Sequence, residues 1–379
     1  MPSTVVQPSA IAQQAYEKSK KLLQEIAKPQ GFVASSIDID NYHRVFSRDG
    51  IITCLASLLT EEKKLLRTAR HTIATLARYQ DHTGRIVSNV SLDGKKISFG
   101  TQVGRVDATP WFVIGVGQYS KRMHDEIFAR KMYQSVERAM HYLDALELNG
   151  KGLIYIPYGG DWADEYLNHG YVLYDELLYL QAQREYLFLQ KVVEKKDSIF
   201  TKKKKKFLEE QILANYLPSL AKEYVYAIYN RSKALEKYLL QYTKPYALPY
   251  FVQGGVGEHF DAFANSLLLL LTALPSKTHD NLISYIETLL RKQKKPILPA
   301  FYPVVSDKRD TTGWKMLQLN YLFRMKNKPY HYHNGGLWPL IQGFYISALS
   351  SSDRARAACG GDRDVPRRRD SQSGPGRRL

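Results

Sequence analysis

Apolar residues recur every three or four positions over long stretches of this chain. Ile127, Phe128, Met132, Val136, Met140 and Leu143 share one face between Glu126 and Leu146, and Leu282, Ile283, Ile286, Leu289 and Leu290 repeat the pattern. That spacing follows the 3.6-residue turn of an α-helix. Taken along the whole chain it predicts eleven helices, near 8–27, 50–59, 62–80, 108–121, 124–147, 171–195, a broken 198–241, 260–273, 278–292, 312–325 and 336–349. Alternating strand-like runs are few and short, around Gly152–Tyr158 and Ala247–Val252.

The helices fall into two kinds. Those near 50–59, 108–118 and 262–273 are apolar nearly all round, as an inner layer requires, whereas those near 124–147 and 278–292 have one apolar stripe, as an outer layer requires. Alternation of outer and inner helices along one chain predicts an all-α fold, a closed barrel of helical hairpins or (α/α) toroid. The loops that feed the inner helices hold the unusual residues: "VFSRDG" at 45–50, "GRVDATPW" at 104–111, "GGDWADEY" at 159–166, "GGVGEHFDAFAN" at 254–265, "VSDKRDTTGW" at 305–314 and "YHYHNGGLWP" at 330–339. All four tryptophans, Trp111, Trp162, Trp314 and Trp338, lie in or beside these segments. Alternate loops of such a barrel meet at one end, so rings and carboxylates distant in sequence converge there. Flat faces for C–H stacking and fixed groups for hydroxyls are what a carbohydrate site needs.

Composition narrows the choice. With 379 residues, 44% hydrophobic, the chain can bury a large core, assigned here to residues 1–350 as one domain. MPSTVVQPSA lacks a basic region followed by an apolar run, and no stretch approaches the ~18 apolar residues of a membrane span. Two cysteines, Cys54 and Cys359, encode no disulfide framework or thiolate metal site. A cytoplasmic protein that uses no cofactor or metal and meets neither membrane nor nucleic acid is the expectation, with its oligomeric state left open. The formal charge of +17 does not change this, because part of it sits in Lys202–Lys206 and in the last residues, away from any nucleic-acid motif. From Ser351 onward the chain has eight Arg, no Lys and no Tyr, which predicts a disordered tail over 351–379 and suggests a foreign or frame-shifted end.

Several residues invite chemistry, each with a plainer explanation beside it. Arg48 and Asp49 can hold adjacent sugar hydroxyls, or Asp49 can cap a helix and Arg48 can join a salt bridge. Asp161, Asp164 and Glu165 flank Trp162 after two glycines; a carboxylic acid held against an aromatic surface can protonate a glycosidic oxygen, while an acid-rich helix start is the alternative. Asp107 fits an N-cap or a hydroxyl contact. His259 and Asp261 are expected to pair with each other, and His331 and His333 lack a third ligand for zinc nearby.

In order, "NYHRVFSRDG", "GRVDATPWF", "DWADEYLNHGYVLYDELLY", "FDAFANSLLLL" and "YHNGGLWP" resemble the six-hairpin glycosidases over about residues 15–350, most of all the alkaline/neutral invertases and the amylo-alpha-1,6-glucosidase-like (glycogen-debranching-type) proteins. The resemblance implies an (α/α)6 barrel of twelve helices and hydrolysis of a neutral oligosaccharide or disaccharide with inversion. It implies Arg48 and Asp49 as the grip on the cleaved-side sugar, Asp164 as general acid with Asp161 as fallback, and Asp107, Trp111, Trp162, His333, Asn334 and Trp338 as the cleft lining. The family's general base is a glutamate between the last two helices. This chain's tail contains no glutamate, so both the base and the twelfth helix are expected to be absent. A non-catalytic sugar-binding remnant and a glycoside phosphorylase, in which phosphate replaces water, are the alternatives.

Overall fold

The computed structural model describes residues 9–194, 199–229, 232–293 and 296–359. It contains α1 Ala10–Ile26, α2 Ser47–Ser57, α3 Lys63–Arg78, α4 Ala108–Met123, α5 Glu126–Ala145, α6 Leu173–Val192, α7 Ile199–Tyr216, α8 Lys233–Leu240, α9 Ala262–Leu271, α10 Ser276–Lys292, α11 Thr311–Leu319 and α12 Pro339–Cys359. A 3-10 stretch, Pro218–Ala227, separates α7 from α8, so the broken segment resolves into three pieces. Helix α11 stops at Leu319, short of its expected end, and α12 continues past Leu349 to Cys359. The expectation for 351–379 otherwise falls on residues outside those described.

These helices form the toroid. Among the described residues, α2, α4, α6, α9 and α12 make the inner row, each packed on the next. Every residue of α4 from Ala108 to Val116 is buried, as is α9 from Ala262 to Leu269, because an inner helix is covered on all sides. The outer helices bury one stripe only: Phe128, Met132, Val136, Ala139 and Leu143 on α5, and Leu282, Ile286 and Leu289 on α10. Each fully buried Leu or Ile of this kind contributes about 1.5–3 kcal/mol. At the two ends of the inner row, Leu59 just after α2 and Ile346 on α12 are exposed. Between the inner helices lies an apolar cavity of about 640 Å³ lined by Ile52, Trp111, Ile114, Leu178, Leu267 and Phe344, among others.

The strands are short and have one task. Arg44–Phe46 runs directly into α2, Tyr171–Val172 into α6 and Phe260–Asp261 into α9. Each pairs antiparallel with a distant loop, in the registers Val45↔Val90, Tyr171↔Phe251 and Phe301↔Asp261. These ladders pin the loops at the N-terminal ends of the inner helices. No described helix is long and apolar enough to cross a membrane.

Candidate functional site

Three inner helices meet in one polar network. Asp107 stands at the N-cap position of α4, but its carboxylate makes no capping bond. Its Oδ2 accepts instead from Arg48 Nη1 of α2 at 2.8 Å and from the Tyr174 hydroxyl of α6 at 3.3 Å. That hydroxyl in turn accepts from Trp111 Nε1 at 2.9 Å. Asp107 is buried beneath Arg48, whose side chain stays 24% exposed and has further N–H groups for a ligand. Asp49 lies in the first turn of α2, whose N-cap is Phe46, so it is not the cap. It is exposed beside Arg48.

The segment from Gly159 to Glu165 is not a helix start. It winds through turns and bends, and α6 begins only at Leu173. Asp161 is the staple of this loop: fully buried, it accepts from the Ala163 N–H at 3.0 Å and from Asn168 Nδ2 at 2.8 Å. Desolvation pushes its pKa well up, the charges of Asp261 and Asp107 add, and the Asn168 bond opposes. Asp164 is different, with a side chain 30% exposed. Its Oδ1 lies 3.1 Å from Arg105 Nη2, and its Oδ2 accepts from the Tyr332 hydroxyl at 3.5 Å. Arg105 is itself anchored on the Gly159 carbonyl. Asn327 Nδ2 holds the loop from the other side, donating to the carbonyls of Asp164 (3.1 Å) and Glu165 (2.9 Å).

The stretch 330–339 folds back on itself. Tyr330, Tyr332 and Gly335 all have positive φ, at 67°, 48° and 85°. A Cβ on Gly335 would overlap Val304, and one on Gly336 would overlap the Tyr332 carbonyl, so only glycines permit this approach. Asn334 is fully buried, with its oxygen taken by the Val305 N–H (2.7 Å) and its two donors by the carbonyls of Val305 (2.9 Å) and Asn327 (3.1 Å). It therefore fixes the loops and has no donor left for a sugar. Replacing it with Ala would strand those buried backbone groups, at about 1–3 kcal/mol each.

The tryptophans divide. Trp111 and Trp162 are buried and form the wall: Trp162 stacks on Phe301 at 5.6 Å and meets the His333 ring edge-on at 4.8 Å. Trp338 is partly exposed, donates Nε1 to the Tyr332 carbonyl at 3.0 Å and stacks against His333 at 5.7 Å. His333 thus sits in a cage of Trp162, Tyr332 and Trp338 with neither ring nitrogen hydrogen-bonded among the described residues. Burial drives its pKa well down, with Arg48, Arg105 and Lys326 adding, so the ring is neutral and offers one donor and one acceptor. Trp314 lies on α11, also partly exposed.

Some residues of the site are not singled out by the sequence patterns, even where they lie inside the quoted motifs. Tyr174, Arg105, Tyr332 and Asn327 are among them, and so is Asp175, fully buried with both carboxyl oxygens unpartnered among the described residues. Desolvation first, then the charges of Asp161 and Asp107, raise its pKa strongly. An acid pair inside an otherwise apolar helix, "VLYDELLY", was the available clue. The expected His259–Asp261 pair does not form. Asp261 turns inward to cap α9, accepting from the Ala264 N–H at 2.9 Å, and His259 faces Asp310 at 3.8 Å.

Burial raises the Asp261 pKa to about 7, opposed by the Ala264 and Phe263 N–H groups. Between about pH 4 and pH 7 the folded chain keeps this proton while the unfolded chain loses it, so stability should fall as pH rises through that window. Denaturant titrations across that window should show this fall, and Asp261→Asn, which can still cap, should flatten it. A slope unchanged in the variant would assign the dependence to other groups.

Among the described residues no group of three His, Cys, Asp or Glu is placed to hold a metal ion. No protein-family model matches the sequence, and no curated protein is significantly similar to it. Among solved structures, the chain is similar to a GH63 mannosylglycerate hydrolase from Thermus thermophilus in complex with Tris, with a TM-score of 0.61 and 10% identity over 90% of this chain and 89% of that one. It is also similar to glucoamylase from Saccharomycopsis fibuligera (TM-score 0.55, 13% identity, 92% and 74%) and to a rhamnosidase from Klebsiella oxytoca with rhamnose bound (0.52, 12%, 89% and 53%). The chain spans about half the length of that rhamnosidase. At these identities the likeness is one of architecture: the chain has the (α/α)6-type toroid fold of these glycosidases.

Proposed function

We propose that this protein is of glycoside-hydrolase type and binds an oligosaccharide or disaccharide in the cleft at the N-terminal ends of its inner helices. The observation that supports this most is convergence. Arg48, Asp107, Asp164, His333 and Trp338 come from segments far apart in the chain and lie in one connected set of contacts: Arg48 pairs with Asp107 and feels the Asp164 charge, while Tyr332 reaches Asp164 and packs on His333 and Trp338. Arg48 and Asp49 hold the sugar on the cleaved side. Asp164 is the general acid: it is partly exposed and oriented by Arg105 and Tyr332, whereas the fallback, Asp161, has both oxygens engaged within its own loop. Kinship with the alkaline/neutral invertases and the amylo-alpha-1,6-glucosidase-like proteins is part of the same proposal, and with it inversion at the anomeric carbon.

An inverting reaction also needs a base on the opposite face of the sugar, with the two carboxyl groups roughly 6.5–9.5 Å apart. From Thr288 onward the chain has no glutamate, and the resemblance places the base in that part. On this reading hydrolysis by residues 1–379 should be weak at best. A second reading is a non-catalytic sugar-binding protein. Assays with and without phosphate separate a hydrolase from a phosphorylase, and inactivity in both with retained sugar binding supports the binding protein.

The binding site is tested with Trp338→Ala. Removing this stacking face should weaken sugar affinity by about 1–3 kcal/mol, in the range of a truncated aromatic anchor. Unchanged calorimetric affinity would rule the cleft out as the binding site.

A further inference from the structure

The loop between α11 and α12 carries a pattern that the site described so far does not use. From Thr311 to Ser350 the chain has no Asp or Glu, and residues 321–332, "YLFRMKNKPYHY", interleave aromatic rings with Arg324, Lys326 and Lys328. The core does not account for these side chains. Phe323 is 91% exposed and Tyr330 73%, and Tyr321, Arg324 and Lys328 are exposed as well. Lys326 stands over the Tyr332 ring, 5.3 Å from its centroid. Among the described residues, no carboxylate pairs with any of these three cations.

The loop is held against the acid-bearing loop. Besides the Asn327 bonds to the Asp164 and Glu165 carbonyls, Asn320 Nδ2 donates to the Tyr166 carbonyl at 3.2 Å and the Leu322 N–H to Glu165 Oε1 at 3.3 Å. Tyr332 reaches Asp164 itself. Two non-glycine residues, Tyr330 and Tyr332, keep left-handed backbone here, a conformation that persists only where its surroundings impose it. A general acid touches the oxygen that bridges the two halves of its substrate. Groups that adjoin Asp164 but lie outside the Arg48–Asp49 grip therefore meet the half that leaves.

We propose that residues 321–332 form the subsite for the leaving part of the substrate, and that this part is a sugar bearing a carboxylate, a uronic acid residue. The proposal rests on the glycosidase reading above, with Asp164 as acid. The chemistry that recognises such a sugar is present: ring faces for the apolar side of a pyranose, and cations without an internal counter-charge for its carboxylate. Like charges crowded on one short loop repel one another, and an anion in their midst relieves that repulsion. The sugar on the cleaved side, gripped by Arg48 and Asp49, needs no charge of its own.

The test is a calorimetric titration of the full chain with pairs of disaccharides that differ only in the leaving half, glucose or glucuronic acid. At about 20 mM salt the acidic member of a pair should bind roughly three- to tenfold more tightly, and at about 200 mM the advantage should shrink as screening sets in. The combined variant Arg324→Gln, Lys326→Gln, Lys328→Gln should lose the advantage. Equal affinity for both members at low salt, or an advantage that survives in the combined variant, would overturn the subsite. Failure of every disaccharide to bind would overturn the sugar site itself, and this subsite with it.

Discussion

If the proposed function holds, an activated aryl glycoside incubated with this chain and azide should give a glycosyl azide of inverted configuration, while hydrolysis alone should be barely detectable. Loss of a general base removes about 10²–10⁴-fold of rate, because water must then attack without help in losing its proton. Azide is already an anion and needs no deprotonation. It can enter the face of the sugar opposite Asp164, where an inverting site keeps room for a nucleophile. On the proposed reading Arg48 and Asp49 still position the sugar, and an aryl leaving group needs little assistance. Product configuration is read directly from the anomeric coupling constant by NMR. Robust hydrolysis that ignores azide would mean that a carboxylate upstream of residue 350 serves as base. Asp49, exposed beside Arg48, would then be the first to replace.

Asp164→Asn should lose about 10²–10⁴-fold with poor, alkyl-type leaving groups and far less with activated aryl ones. Protonation of the bridging oxygen matters in proportion to how basic that oxygen becomes as the bond breaks. The azide-driven reaction can carry this comparison in the chain itself. The substitution preserves shape and can still accept from Tyr332, but it replaces the ion pair with Arg105, so circular dichroism and sugar affinity should be followed alongside. Equal losses on both classes of substrate would remove Asp164 from the role of acid. Asp161→Asn would be next, although its bonds to the Ala163 N–H and to Asn168 mean that its loss should show first as destabilisation.

Much of the architecture was legible along the chain. The helix-spaced apolar residues located most helices to within a few residues, and all-round hydrophobicity marked α4 and α9 as inner helices, because an inner helix has no solvent face to leave polar. Where expectation and structure part, local chemistry had two solutions. An acid-rich run after paired glycines suits a helix start as well as a turn. Here Asp161 closes a turn onto Asn168, and the helix waits until Leu173. A histidine two residues from an aspartate suggests a pair, yet capping α9 turns Asp261 inward while His259 meets Asp310 from a loop some fifty residues on.

By itself, then, the sequence determined the class of fold and the order of inner and outer helices, since the hydrophobic period is a local property. The tertiary structure alone decided which groups in the loops feeding the inner helices stay available. Asp107 could cap or pair, and pairing follows because α2 brings Arg48 within 2.8 Å. Trp111, Trp162 and Trp338 look alike in sequence, but packing buries the first two and leaves the third partly open. Asn334 resembles a sugar contact until Val305 and Asn327 occupy its amide. Availability depends on neighbours dozens to hundreds of residues away, and no period along the chain encodes them.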